Sequence, residues 1–256
     1  MNLSVHSLCF SYDAAPLLRD IHFSLDTGSF ICVLGKNGAG KSTLFQCILN
    51  LQKNYTGTIF LDGQNIKSLK EKELAKSIAY IPQLHKQSFA FSVFDMVLMG
   101  TTASLSPFST PKGEQKKSAM EALQLVGMEK YTSCSFSHLS GGEQQMVLIA
   151  RALAQKAPIL IMDEPCSNLD YGNQIRLLKK LKQLSALGYL VLLSTHNPEH
   201  AFLFADKVIV LHKGNAVALG NPKEVLTASL LEEIYSIPIQ LYTSSDVPQP
   251  VCIPKI

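Results

Sequence analysis

Nine consecutive residues constrain this chain more than any other feature: Gly35-Lys36-Asn37-Gly38-Ala39-Gly40-Lys41-Ser42-Thr43. They satisfy G-x-x-x-x-G-K-[ST], the spacing of a loop that wraps its backbone around phosphate groups. Glycines permit the wrap and leave N–H groups aimed at phosphate oxygens. A helix starting at the end of the loop adds its positive dipole terminus. Lys41 is expected to reach the β- and γ-phosphates, and Ser42 to place a hydroxyl on Mg2+. The flanks agree with this reading. Phe30-Ile31-Cys32-Val33-Leu34 is an unbroken apolar run, the mark of a strand buried on both faces in a parallel sheet. Residues 42–51 read as a helix. A phosphate loop belongs between such a strand and such a helix.

A second buried run, Ile159-Leu160-Ile161-Met162, ends in Asp163-Glu164-Pro165. A buried strand that terminates in two carboxylates delivers them to the ligand edge of a sheet. Side chains alternate faces along a strand, so the two carboxylates point differently. Asp163 is assigned to the metal and Glu164 to the attacking water. Taken alone, Asp-Glu after a strand reads as a solvated turn. The phosphate loop upstream reverses that reading. The residues therefore point to a Mg2+-dependent nucleotide hydrolase with an α/β core.

The rest of the chain fits one such core with additions. Residues 3–10 and 21–25 read as antiparallel strands around a turn at 13–16. Further strands are expected at 57–61, 78–81, 190–194 and 208–211. Helices in the intervals after 190–194 and after 208–211 would give βαβ units and a parallel sheet. From about 85 to 155 no strand is expected, and residues 92–100, 114–126 and 141–155 read as helices. The expected organisation is a core of 1–84 and 141–235, an inserted helical subdomain at 85–140, and an extension at 236–256. The tail from Thr243 has three prolines and no periodic pattern, so no regular structure is expected there.

Composition excludes several other classes. With 46% hydrophobic and 17% charged residues in a chain of 256, disorder, collagen and coiled coil are out. A net charge of +3 gives no basic stripe, so no nucleic-acid partner is expected. The lysine-rich runs at 67–76 and 112–117 also hold Glu71, Glu73 and Glu114, and read as solvated helix faces. A mean hydropathy of +0.14 prompts a search for membrane spans. The longest apolar runs fall far short of the roughly 18 residues a spanning helix needs. The N-terminus lacks a basic segment followed by an apolar one, so no secretory signal is expected. Six cysteines include no C-x2-C or C-x4-C pair, which argues against zinc and dithiol chemistry.

Leu139-Ser140-Gly141-Gly142-Glu143-Gln144-Gln145 opens another helical run. Ser140 suits an N-cap, and the two glycines leave backbone N–H groups uncovered. This heptad resembles the LSGGQ signature of ATP-binding cassette (ABC) proteins. Other segments then fall into the same order. Tyr12, in Phe10-Ser11-Tyr12, resembles the aromatic that stacks on adenine. Gln83, in Ile81-Pro82-Gln83, resembles the Q-loop glutamine, which touches Mg2+ and faces the membrane partner. Ser167-Asn168-Leu169-Asp170 resembles the D-loop, with Asp170 as its acid. His196, in Ser194-Thr195-His196, resembles the switch histidine at the γ-phosphate. The resemblance spans about residues 3–235. Two departures stand out: Glu143 occupies a position where Gln is commonest, and Cys166 one where Thr is usual. Neither touches the hydrolytic residues.

The resemblance implies a P-loop NTPase core with an N-terminal antiparallel β subdomain and an inserted α-helical subdomain. It implies ATP and Mg2+ as ligands, and a head-to-tail homodimer in which each ATP lies between one phosphate loop and the other chain's Leu139–Gln144 signature. ATP closes the dimer, and hydrolysis removes the charge that held it. Glu164, His196, Lys41 and Gln83 are the implied catalytic set, with Ser42, Gln83 and Asp163 at the metal.

The segment Phe89-Ala90-Phe91-Ser92-Val93-Phe94-Asp95-Met96-Val97-Leu98-Met99-Gly100 is more apolar than one helix stripe needs. It is similar to the post-Q-loop surface of importers for iron–siderophore, haem, vitamin B12 and molybdate, which receives a permease helix. Pro107-Phe108, Gln124-Leu125-Val126-Gly127-Met128 and the run from Gly220 to Leu226 fit the same group. This implies a polytopic membrane permease as direct partner, a substrate-binding protein as indirect partner, and a peripheral place on the cytoplasmic face of the inner membrane. A separate-chain exporter subunit and a soluble cassette ATPase are the alternatives. Cargo is not legible, because in this architecture the cassette never touches it.

Overall fold

Two kinds of apolar pattern, alternating near the N-terminus and unbroken further on, build two kinds of sheet. A computed structural model describes residues 1–13, 15–83, 91–105, 109–244 and 249–255. The chain divides into two compact units, Met1–Leu69 with Leu181–Ile256, and Lys70–Lys180.

The first unit begins with β1 (Asn2–Ser11), β2 (Pro16–Asp26), β3 (Phe30–Leu34), α1 (Lys41–Ile48), β4 (Thr56–Leu61) and β5 (Gln64–Asn65). Strands β2-β1-β4-β5 form an antiparallel sheet, the expected N-terminal β subdomain. Its alternating side chains bury Leu3, Val5, Leu8, Ile21, Phe23 and Leu25 on one face. All five residues of β3 are buried, as its unbroken apolar run requires.

The second unit holds α2 (Glu71–Ser77), β6 (Ile78–Ile81), α3 (Val93–Leu98), α4 (Gly113–Val126), α5 (Gly141–Ala154) and β7 (Ile159–Met162). Strands β6 and β7 pair in parallel, Ile78 opposite Ile159 and Ile81 opposite Met162. Helices α3, α4 and α5 pack on one another, and Val93, Val97, Ala119, Leu123, Val147 and Ile149 are buried. The part of the expected insertion at 85–90 and 106–108, including Phe89-Ala90 and Pro107-Phe108, lies outside the described residues.

Helix α6 (Tyr171–Ala186) leads back to the first unit, which continues with β8 (Leu190–Thr195), α7 (Pro198–Phe204), β9 (Lys207–His212), β10 (Asn215–Gly220), α8 (Pro222–Val225), α9 (Ala228–Tyr235), β11 (Ile239–Tyr242) and β12 (Val251–Pro254). Strands β9, β3 and β8 run parallel, and β10 closes antiparallel on β9. The turn between β9 and β10 is Lys213-Gly214, both at positive φ (47° and 82°), which matches the strand twist.

The tail corrects the sequence-based expectation. Residues 251–254 form β12, paired antiparallel with β11. Four residues ending in proline carry too little alternation to announce a strand. Pro254 is tolerated because β12 is an edge strand of a two-stranded sheet.

Candidate functional site

In the first unit, the loop that leaves β3 is held from several sides. Gly35 N–H donates to the Thr195 carbonyl at 3.3 Å, and Ala39 N–H to the Lys36 carbonyl at 3.1 Å. A Cβ at Gly35 would stand 2.5 Å from the Leu211 carbonyl oxygen, so only glycine lets β9 pass this closely. Gly40 precedes α1 at φ 97°, a left-handed conformation that other residues rarely adopt. The Lys41 ammonium donates to the Gly35 and Lys36 carbonyls at 2.8 and 3.1 Å, and the residue is only 5% exposed. Its charge is thereby folded back over the loop. Ser42 is exposed and Thr43 buried. Tyr12 is exposed; it stacks edge-on against Phe10 and donates to Gln46 Oε1 of α1, the helix that follows this loop, at 3.3 Å.

His196 follows β8 in the same unit, one residue past the Thr195 that anchors Gly35. Thr195 Oγ1 accepts from Asn197 N–H at 3.0 Å and meets His200 Nδ1 at 2.9 Å. Asn197 in turn caps α7, accepting from Glu199 N–H. The His196 carbonyl accepts the Tyr235 hydroxyl at 2.7 Å. Burial, then the neighbouring His196, lowers the His200 pKa from 6.5 to about 4. His200 is therefore a neutral structural ring.

In the second unit, β6 and β7 deliver Gln83, Asp163 and Glu164 at their C-terminal ends. Asp163 N–H donates to the Ile81 carbonyl at 3.1 Å, extending the β6–β7 ladder to the first acid. Asp163 is buried; Glu164 is less so and sits at φ 45°, a conformation that costs a non-glycine residue energy and that clusters at functional positions. Ser167 joins two of the expected residues. It accepts from Gln83 Nε2 at 3.0 Å and donates to the Glu164 carbonyl at 2.7 Å.

The signature stretch also lies in the second unit. Ser140 caps α5 in a reciprocal box with Glu143. Gln144 Nε2 ties back to the Phe136 and Leu139 carbonyls at 3.2 and 3.1 Å. Hydrogen bonds from Tyr131 and Ser140 hold the Glu143 pKa at about 2. Gly141 and Gly142 face the segment after Glu164: a Cβ on Gly142 would come 2.9 Å from Asn173 Cγ. Asn173 donates twice to Asp170, which lowers that acid's pKa. An open cavity of about 610 Å3 lies in the same unit, between Tyr80, Gln83, Met99, Gly100, Arg151 and Gln155.

Sequence reasoning missed Gln46, Asn173 and Tyr235 as neighbours of these residues. None carries a signal of its own, since each gains its role from a partner distant in sequence or from a local cap. Among the described residues, no helix is long and apolar enough to cross a membrane.

Comparison with known proteins bears on the family and the fold of the chain. A family model described as "ABC transporter" matches residues 18–167. The chain is 42% identical over 235 residues to an uncharacterized ABC transporter ATP-binding protein of Haemophilus influenzae, covering 92% of this chain and 89% of that one. It is 30% identical over 253 residues to the iron(3+)-hydroxamate import ATP-binding protein FhuC of Bacillus subtilis, covering 98% and 94%. Among solved structures, an inward-facing putative metal-chelate type ABC transporter superposes with a TM-score of 0.87 at 32% identity, over 99% of this chain and 97% of that one. The fold, the ordered motifs and these likenesses together establish that the chain belongs to the ABC transporter family.

Proposed function

We propose that this chain is the ATP-hydrolysing subunit of a metal-chelate importer of the iron–siderophore, haem, cobalamin or molybdate kind. The observation that carries the reading is the likeness to a putative metal-chelate transporter over 99% of the chain, tail included. A relative named for iron(3+)-hydroxamate import, matched over 98% of the chain, supports it.

In this reading Tyr12 stacks on adenine, and the phosphate loop from Gly35 to Thr43 holds the phosphates. The loop is suited to holding them, since its N–H groups precede a helix start and Lys41 is already folded over it. Ser42, Gln83 and Asp163 would hold Mg2+. A hydroxyl, an amide oxygen and a carboxylate form the hard oxygen set this ion prefers. Gln83 spends its nitrogen on Ser167, which leaves its oxygen as the ligand atom. Bound there, the ion supplies neutralisation of phosphate charge. Glu164 takes the proton of the attacking water, and His196 contacts the γ-phosphate.

The chain works as a head-to-tail pair. Leu139, Ser140, Gly141, Gly142, Glu143 and Gln144 of one copy meet the ATP held by the other, with Asp170 beside the shared boundary. ATP gains these contacts only in the closed pair, so it shifts the equilibrium toward closure. Hydrolysis removes those contacts and reopens it. A polytopic permease, supplied with cargo by a substrate-binding protein, receives the motion at the cytoplasmic face of the membrane, where this chain is peripheral.

The test is purification of the tagged chain from its native membranes in mild detergent, with partners identified by mass spectrometry. A polytopic permease of importer type is the expected result, and its binding protein would identify the cargo class. Recovery only from the soluble fraction, with ribosomes, DNA or no partner, would overturn the transporter reading. An exporter permease would overturn the direction.

A further inference from the structure

The corner where α9 ends touches two parts of the first unit that the proposed chemistry uses. Tyr235, the last residue of α9, donates its hydroxyl to the His196 backbone carbonyl at 2.7 Å. The next residue, Ser236, accepts from Lys36 Nζ of the phosphate loop at 3.0 Å. Ser236 holds φ at 59°, a left-handed conformation that serine seldom adopts, so its surroundings must fix it. They do so from both sides. Ser236 N–H donates to the Glu232 carbonyl at 2.7 Å, and Ile239 N–H to the Glu232 carboxylate at 2.9 Å. Beyond the corner, Lys255 N–H returns to the Pro238 carbonyl at 3.0 Å, which closes the β11–β12 hairpin. Strand β12 packs on α7, the helix that starts just after His196. Burial raises the Tyr235 phenol far above its ordinary range, so it remains a donor at any working pH.

We propose that Tyr235 and Ser236 form a positioning corner, through which the C-terminal hairpin sets His196 against the phosphate loop. The inference rests on the reading of His196 as the γ-phosphate contact. The loop fixes where the γ-phosphate lies, and the His196 backbone fixes where the ring can reach. A misplacement of about 1 Å between such groups costs a large factor in rate. Tyr235 touches no reacting atom; it acts by holding His196. The tail thus has a role in hydrolysis, as the element that keeps the corner in shape.

Tyr235→Phe removes the hydroxyl and little else. Steady-state ATP hydrolysis with Mg2+ is measured on the full chain for wild type, Tyr235→Phe, His196→Ala and the double variant. Tyr235→Phe is expected to lower kcat about five- to tenfold with KM within about twofold. In the His196→Ala background the same change is expected to add no further loss, because both act through one group. Ser236→Gly keeps the left-handed corner and removes the Lys36 acceptor; a smaller loss in kcat is expected. Thermal unfolding of every variant separates lost positioning from lost folding.

Wild-type kcat in Tyr235→Phe, with His196→Ala impaired, would overturn this inference and leave the function intact. Losses that multiply in the double variant would also overturn it, since they mark an independent structural effect. Wild-type kinetics in Ser236→Gly would remove Lys36 from the corner. A fully active His196→Ala would defeat the reading of His196 and this inference with it.

Discussion

Ser140 and Glu143 satisfy each other at the start of α5: the Ser140 hydroxyl donates to the Glu143 carboxylate at 2.7 Å and the Ser140 N–H at 2.9 Å, while Glu143 N–H returns a longer bond of 3.4 Å. With Tyr131 these bonds hold Glu143 ionised down to about pH 2. In the proposed dimer, Ser140 must turn its hydroxyl to the other copy's ATP, and the carboxylate then stands close to a phosphate. Glu143→Gln keeps both halves of the box and removes the charge. It is expected to lower the ATP concentration for dimer closure about two- to fivefold. The gain should shrink at high salt, which screens exposed charges. Light scattering during ATP titration at two salt concentrations reads this directly. An unchanged titration at low salt would show that the charge is immaterial. Glu143→Ala loses the box instead, and should cost about 1 kcal/mol of stability.

Glu164→Gln separates binding from hydrolysis. The variant keeps the size of the side chain and its capacity to hydrogen-bond but cannot take a proton from water. ATP affinity is expected to stay within about twofold, while kcat falls by about 100-fold or more, the usual scale for a lost general base. The closed dimer should then persist in ATP and Mg2+, visible by gel filtration. Hydrolysis at the wild-type rate would remove Glu164 from the water-activating role.

Most of the candidate site was legible because its chemistry demands particular residue types at fixed spacing. Gly35 to Thr43 announce a loop, and an unbroken run such as Ile159 to Met162 announces a strand whose end presents acids. The buried strands were legible for a related reason: burial on both faces leaves no polar residue in the run. What escaped notice depends on partners distant in sequence. Nothing near Tyr235 points to the His196 carbonyl, 39 residues away. Ser167 is legible as part of the 167–170 segment, but its bond from Gln83, 84 residues away, exists only in the fold. Strand β12 is four residues long and depends on β11 for its existence.

Gly100 is required by packing. A Cβ there would collide with the Arg151 carbonyl oxygen and stand 2.9 Å from its carbonyl carbon, both backbone atoms of α5. A helix backbone cannot yield as a side-chain tip can. Gly100→Ala is therefore expected to destabilise the second unit by about 1–3 kcal/mol. Tm should fall by roughly 2 to 4 °C per kcal/mol. Gly100 also lines the open cavity beside Gln83, so the same change should weaken whatever occupies that surface. Differential scanning calorimetry checks the first expectation. An unchanged Tm would mean that the approach of Met99–Ser104 to α5 is looser than this packing indicates.

His200 sets a pH limit on stability. Its ring is 6% exposed, bonded at Nδ1 to Thr195 Oγ1, and its pKa is lowered from 6.5 to about 4 by burial and by His196. Above pH 6.5 the ring is neutral in the folded and the unfolded chain, and stability does not depend on it. Between pH 6.5 and 4 the unfolded chain takes up a proton that the folded chain refuses, so stability falls as pH falls. Below about pH 4 both forms are protonated, and this contribution levels off at a loss of about 3 kcal/mol. His200→Gln keeps an amide to bond Thr195 and removes the titration. Urea unfolding at pH 7, 6, 5 and 4 should show a smaller acid loss in the variant than in wild type, by up to that amount. Equal acid losses in the two proteins would place the sensitive group elsewhere.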